Sequence, residues 1–195
     1  MKKDLTEIIC IIDRSGSMGL IKEAAMEGFN NFIKKQKELP GEVIVSVVLF
    51  NDRMEYVIKR TPLKEIPFLT KEIYITKGGT ALNDTLGRVI NDVSFDILNM
   101  RRREQPAKVL FCVLTDGEEN ASEEFSAEKV KSLIEYRKKA FGWEFLFIGA
   151  NQDVALIAKT YAFSKASTFK FDATAAGIRG AYDEMDTFVT RYRAS

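Results

Sequence analysis

Apolar residues along this chain come in two alternating patterns. One is a set of short, nearly unbroken runs: "TEIICIID" at 6–13, "EVIVSVVLF" at 42–50, "KVLFCVLT" at 108–115 and "WEFLFIG" at 143–149. Runs of this length with so few polar interruptions predict strands buried on both faces. The other is helical. Over 17–39, Ile21, Ala25, Phe29, Phe32 and Ile33 recur at helical spacing, with lysines and glutamates on the opposite side. Pro40-Gly41 ends that stretch. Further helices are expected around 82–98, about 126–140, from about 153, and roughly 174–192, with a last strand near 167–171.

A third strand, "MEYVIKR" at 54–60, follows the second so closely that Asn51-Asp52 reads as a tight hairpin turn. These two strands should pair antiparallel. Continuous apolar strands alternating with amphipathic helices imply an α/β fold: a mostly parallel sheet, covered on both faces, with the antiparallel strand at an edge. No internal repeat, low-complexity stretch or linker breaks the alternation, so residues 1–195 are expected to form one domain.

Composition narrows the chemistry. Apolar residues make up 46% and charged residues 29%, the balance of an ordinary soluble globular chain. With 29 basic and 28 acidic residues the net charge is +1, which gives no electrostatic reason to expect nucleic acid or a membrane surface as partner. The start, "MKKDLTEIICIID", lacks the longer apolar stretch and small-residue cleavage site of a signal peptide and reads as a strand. No segment approaches the roughly 18 apolar residues of a membrane span. Cys10 and Cys112 each sit inside a strand-like run, which predicts buried free thiols and a cytoplasmic setting. Histidine is absent, which excludes Ser-His and Cys-His triads within the chain and removes the commonest neutral metal ligand.

In doubly wound sheets, ligands bind beyond the carboxyl ends of the strands, where strand order reverses. The strands ending at Asp13 and near Asp116 are the most apolar, hence central. If they are neighbours, "DRSGS" and "TDGEEN" face each other, and "KGGT" supplies a third loop. Each piece has a plain reading by itself. Ser17 suits a helix N-cap, Asp13 suits a helix N-terminus, Gly78-Gly79-Thr80 suits a turn and cap, and "TDGEEN" suits a polar turn. Together they bring two carboxylates and three hydroxyls to one crevice. An all-oxygen set favours hard cations such as Mg²⁺, Mn²⁺ or Ca²⁺ over zinc. Two aspartates would neutralise a divalent ion and leave a position open, best suited to a carboxylate from a partner.

Asp13-x-Ser15-x-Ser17, Thr80 after a Gly-Gly, and Asp116 in "TDG", in this order, resemble the metal-ion-dependent adhesion site of von Willebrand factor type A domains. The resemblance covers the chain from about residue 5 to the end. It implies a doubly wound, Rossmann-like sheet of six strands with one antiparallel edge strand, helices on both faces and a metal at the upper face. Ser15, Ser17 and Thr80 would contact the ion through their hydroxyls, and Asp13 and Asp116 directly or through water. The implied function is a divalent-metal-dependent protein-binding module, with an acidic side chain of a protein partner completing the coordination sphere. Abundance favours Mg²⁺.

Glu118 and Glu119 follow Asp116 and are candidate rim residues, attracting a cation but repelling an acidic partner; the plainer reading is a solvated acidic turn. Asn151 and Asp153 fall at the same end of the sheet as rim or capping residues. Asn51, Asp52, Arg53 and Asp84 are expected in turns and on the surface.

An enzyme is the competing class: a metal-assisted hydrolase or a phosphotransferase in the same crevice. A haloacid-dehalogenase-type phosphatase would need a second aspartate where Ser15 stands. There is no G-x-x-x-x-G-K-[ST], and "SGSMG" is not G-x-G-x-x-G. A nucleophilic Ser15 or Ser17 would need a base that no spacing supplies. A non-enzymatic role is therefore expected. A further alternative is an accessory subunit of an ATPase-driven assembly whose motor is another chain.

Overall fold

The computed structural model describes residues 1–150 and 154–195; the expected rim residues Asn151 and Asp153 lie outside them. The apolar runs form strands β1 (Lys2–Asp13), β2 (Glu42–Phe50), β3 (Met54–Pro62), β4 (Pro106–Thr115), β5 (Glu144–Ala150) and β6 (Thr168–Phe171). The helical stretches form α1 (Lys22–Lys37), α2 (Leu82–Leu98), α3 (Ala127–Phe141), α4 (Val154–Tyr161) and α5 (Ala175–Ala194). The strands make one six-stranded sheet in the order β3-β2-β1-β4-β5-β6. Every neighbouring pair is parallel except β2–β3. The expected architecture is the observed one.

Burial on both faces explains the unbroken apolar runs. On β1, Ile8, Cys10 and Ile12 join the core layer under α1 and α5, while Ile9 and Ile11 join the layer under α2, α3 and α4. The chain lays β2 and β3 on one side of β1, then returns to lay β4, β5 and β6 on the other. The strand order therefore reverses between β1 and β4. Their register, Cys10 opposite Cys112 and Ile12 opposite Leu114, brings Asp13 and Thr115 to the same level at that point.

Two local features depart from expectation. The helix predicted from residue 17 begins instead as a 3₁₀ turn, Gly16–Ile21, and becomes α-helical only at Lys22. A 3₁₀ turn repeats every three residues, so Met18 and Ile21 both enter the core while Ser17 stays exposed. The hairpin loop has three residues, since Phe50 pairs with Met54, and the Asn51 side chain accepts from the Arg53 N–H at 3.0 Å.

Strand β3 carries a bulge. Ile58 pairs with Val47 and Thr61 with Val45, so Lys59 and Arg60 share the slot opposite Ser46. Arg60 adopts a left-handed φ of 47°, and its N–H donates to Ser46 Oγ at 3.0 Å. The guanidinium thereby reaches the wholly buried Glu7 carboxyl group, donating to both oxygens at 2.6 and 2.9 Å.

Candidate metal centre

The site is built from the end of β1 outward. The Asp13 carboxylate accepts the Ser15 N–H at 2.6 Å through one oxygen and the Thr115 hydroxyl through the other. Its main-chain carbonyl accepts the Tyr74 hydroxyl at 2.6 Å. The loop beyond is held by its backbone: Arg14 N–H donates to Phe50 O at 2.6 Å, Gly16 N–H to Gly78 O at 3.0 Å, and Lys77 N–H to Arg14 O at 2.9 Å. Ser17 Oγ donates to Asp116 Oδ1 at 2.7 Å. Ser15 Oγ lies 3.0 Å from Ser17 Oγ and, with that proton committed to Asp116, is the donor.

Thr80 comes from the third loop. Its N–H donates to the Asn120 side chain at 2.9 Å, and its carbonyl accepts the Asn120 N–H at 3.0 Å. A methyl added at Gly117 would lie 2.7 Å from Thr80 Oγ1 and 3.5 Å from an Asp13 carboxylate oxygen. The Thr80 hydroxyl and the Asp13 carboxylate thus border one space, which stays open because residue 117 has no side chain. The five sequence-predicted residues Asp13, Ser15, Ser17, Thr80 and Asp116 are brought together by three loops at the switch point.

The electrostatics of this cluster are one-sided. Burial pushes the Asp13 carboxyl up to about 6, against the pull of its bonds from Thr115 and Ser15. Burial also raises Asp116. Neither aspartate has an ion pair among the described residues. Arg14, adjacent in sequence, turns to Glu55 at 2.9 Å. Two acids drawn out of water without a cation leave a charge deficit that a divalent ion would balance. No group of three or more His, Cys, Asp or Glu side chains is placed to hold a metal among the described residues. An ion here would draw on the hydroxyls of Ser15, Ser17 and Thr80 beside the two aspartates, and such donors would fit a hard, oxygen-preferring cation.

Other expected roles change. Ser17 makes no cap to the helix it was expected to start, and the N-cap position of α2 falls on Ala81, which has no side-chain cap. Glu119 supplies part of the missing cap from the opposite loop: it accepts the N–H groups of Asn83, Ala121 and Ser122 at 2.7, 3.0 and 2.8 Å. Of the two candidate rim glutamates, only Glu118 is exposed, while Glu119 is committed to these bonds. Asn51 and Asp84 are buried rather than superficial. Asn51 ties the hairpin to the "KGGT" loop through Lys77 O and the Ala81 N–H. Asp84 accepts three N–H groups, from Glu123, Glu124 and Phe125.

Sequence reasoning does not single out Thr115, Gly117 or Asn120, and it offers Tyr74 only as an interface or core aromatic, the latter being what burial bears out. Thr115 had a signal, its place beside Asp116 at the strand end; Tyr74, arriving from a loop, had none for a place at this site.

No protein-family model matches the chain, and no curated protein matches it by sequence. Solved structures do match. Proximal thread matrix protein 1 from the mussel byssus is 18% identical, with 95% of this chain covering 46% of that one and a TM-score of 0.63. Its form with a zinc-occupied MIDAS motif aligns over 94% of this chain and 45% of that one, at 17% identity and TM-score 0.63. A von Willebrand factor type A protein from Catenulispora acidiphila matches at 16% identity over 95% of this chain and 42% of that one, TM-score 0.59. The chain has the von Willebrand factor type A fold. The vWF domain of the type V pili tip protein Mfa5 from Porphyromonas gingivalis aligns nearly end to end, covering 97% of this chain and 96% of that one, at 13% identity and TM-score 0.67. At these identities the likeness is one of fold, and the chain spans less than half the length of the byssus protein. Within this type A fold, the cluster around Asp13 sits at the carboxyl ends of the two central strands.

Proposed function

We propose that this chain is a divalent-metal-dependent protein-binding module, formed as one domain over residues 1–195, whose cation is held by Asp13, Ser15, Ser17, Thr80 and Asp116. The observation that carries the reading is the pair of partly or wholly buried aspartates without a cationic partner among the described residues, flanked by three hydroxyls at the switch point. The zinc-occupied MIDAS motif of the byssus protein supports a site of this class on this fold. Mg²⁺ is the expected ion by abundance, and Mn²⁺ or Ca²⁺ suit the same oxygens.

The bound cation would supply a positively charged, Lewis-acidic contact for an acidic side chain of a partner protein. Asp13 and Asp116 balance its charge, while the hydroxyls add contacts but no charge, leaving it attractive to an external carboxylate. Exposed Glu118 adds negative potential at the rim, drawing in the cation and selecting against partners that crowd acids there. Binding is favoured over catalysis because Ser17 donates to a carboxylate, a base too weak to make an alkoxide unaided, and the chain has no histidine. Cys10 and Cys112, buried register partners on adjacent strands and both free thiols, support a reducing, cytoplasmic setting.

Calorimetric titration of Mg²⁺, Mn²⁺, Ca²⁺ and Zn²⁺ into the EDTA-treated protein and its Asp13→Asn variant tests the site. Saturable binding by the wild type, lost in the variant, is the expected result. No binding of any of the four ions, or equal binding by both proteins, overturns it. Affinity capture with Mg²⁺ or with EDTA then tests the partner: the expected protein is released by EDTA. Phosphatase or esterase turnover abolished by Asp13→Asn would establish the enzyme reading instead.

A further inference from the structure

The end of the sheet opposite the candidate metal centre carries a different surface. Phe95 and Leu98, three residues apart in the last turns of α2, share a face and are 69% and 63% exposed. The chain then makes a turn over residues 101–104, closed by the Glu104 N–H donating to Arg101 O at 2.7 Å and by the Arg101–Glu104 ion pair. Arg102 and Arg103 occupy the two central positions. Both are exposed, and neither has an ion pair or a side-chain hydrogen bond among the described residues.

This segment is anchored. The Gln105 side chain donates to Ile97 O at 3.0 Å and Met100 O at 3.3 Å, and Arg60 donates to Met100 Sδ at 3.0 Å. Two nearby acids are already taken, Asp96 by Lys59 at 3.0 Å and Glu7 by Arg60, while exposed Asp4 on β1 has no ion pair among the described residues. α3 packs beside α2 and ends at the same edge with two more exposed rings, Tyr136 and Phe141. Between these rings and Trp143 lies the Arg137 guanidinium, 5.2 to 5.4 Å from each centroid. It too has no ion pair among the described residues.

We propose that this end of the molecule docks on an anionic lipid bilayer, with Phe95 and Leu98 entering the headgroup–acyl boundary and Arg102 and Arg103 meeting lipid phosphates. Side chains two-thirds exposed project rather than line a cleft, and projecting apolar tips beside unpaired arginines match a plane that layers phosphates over hydrocarbon. An acidic protein surface would have to place an apolar patch in register beside its acids, whereas a bilayer layers phosphates over hydrocarbon along its whole plane. No helix among the described residues is long and apolar enough to cross a membrane, so the contact is with the surface. The balanced whole-chain charge conceals this end because it averages unpaired arginines here with unpaired aspartates at the metal centre. Docked in this way, the protein presents that centre to the solvent.

Co-sedimentation with vesicles of phosphatidylglycerol and phosphatidylcholine, against phosphatidylcholine alone, tests the proposal; EDTA excludes metal bridging at the opposite end. The full chain should pellet with the anionic vesicles only, and less so in high salt. The R102Q/R103Q variant should bind about thirtyfold more weakly, from the known contribution of each cation near such a surface. The F95S/L98S variant should bind at least about tenfold more weakly. All four substitutions are at exposed positions, and unchanged melting of the variants verifies their folding. Wild-type protein that stays in solution with anionic vesicles, or either double variant binding like wild type, overturns the assignment. Tighter binding to polyglutamate or to single-stranded RNA than to the vesicles would give the arginines to a protein or nucleic-acid partner and would also overturn it.

Discussion

Gly117→Ala tests the metal centre without removing any of its donors. The added methyl would stand 2.7 Å from Thr80 Oγ1 and 3.5 Å from an Asp13 oxygen, inside the space those two groups border. Thr80 is only 2% exposed, so its hydroxyl can yield only by rotating out of the cradle. Gly117 is not among the glycines with positive φ, so alanine adds no backbone strain. The fold itself should lose about 1–3 kcal/mol from overpacking. A ligand at 100 times its dissociation constant stabilises by about 2.7 kcal/mol. For a chain of this size that raises the melting temperature by roughly 5–11 °C. Displacing one donor should weaken the ion at least about tenfold, cutting the metal term at the same concentration to about 1.4 kcal/mol and halving the shift. Scanning calorimetry of both proteins in EDTA and in Mn²⁺ reads this directly. A variant that melts lower in EDTA yet gains as much from Mn²⁺ as the wild type would refute the cradle bounded by Thr80, Asp13 and Gly117.

Three further outcomes follow from packing and charge elsewhere. Gly28→Ala puts a methyl 2.3 Å from a Tyr182 ring carbon in the α1–α5 interface; denaturant unfolding should show a loss of about 1–3 kcal/mol with an unchanged metal response. Asp84→Ala removes the acceptor of three backbone N–H groups in the loop that precedes α3, and should cost about 2 kcal/mol while speeding hydrogen exchange at Glu123, Glu124 and Phe125. Burial holds the Glu7 carboxyl at about 7 in the fold, above its ordinary 4.5, despite the Arg60 guanidinium. The folded state therefore keeps a proton that the unfolded chain releases. The stability from Glu7 is full below pH 4.5 and is lost as the pH rises through about 7, a fall on the order of 3 kcal/mol. Glu7→Gln should flatten that fall in urea unfolding across this range, and an equally steep fall in the variant would exclude Glu7 as its source.

The clustering of the proposed donors was anticipated because they stand in short motifs at strand ends, where the apolar runs stop. Asp13, Ser15 and Ser17 are spaced by single residues and Asp116 closes its own run, so local pattern located each one. The roles of their neighbours were not readable in the same way. Ser17 looked like a cap because hydroxyls before helices usually are, but its proton goes to Asp116, 99 residues away. Glu119 looked like a solvated rim acid, yet it caps α2 from a loop 36 residues beyond Asn83. Asn51 and Asp84 looked superficial because polar residues in turns commonly are, and both are buried as connectors between loops.

The sequence by itself determined the kinds of elements, their order and the oxygen-only inventory of the crevice. Those properties depend on periodicity and residue type within short windows, where side-chain direction repeats every two or 3.6 residues. Only the tertiary structure decided that β1 and β4 are neighbours, that Thr115 steadies Asp13 across 102 residues, and that Gly117 leaves the space beside Thr80 open. It also decided that Phe95, Leu98, Arg102 and Arg103 project from one end while the aspartates are buried at the other. Such contacts depend on how strands pair and helices pack, and no short window of the chain contains both partners.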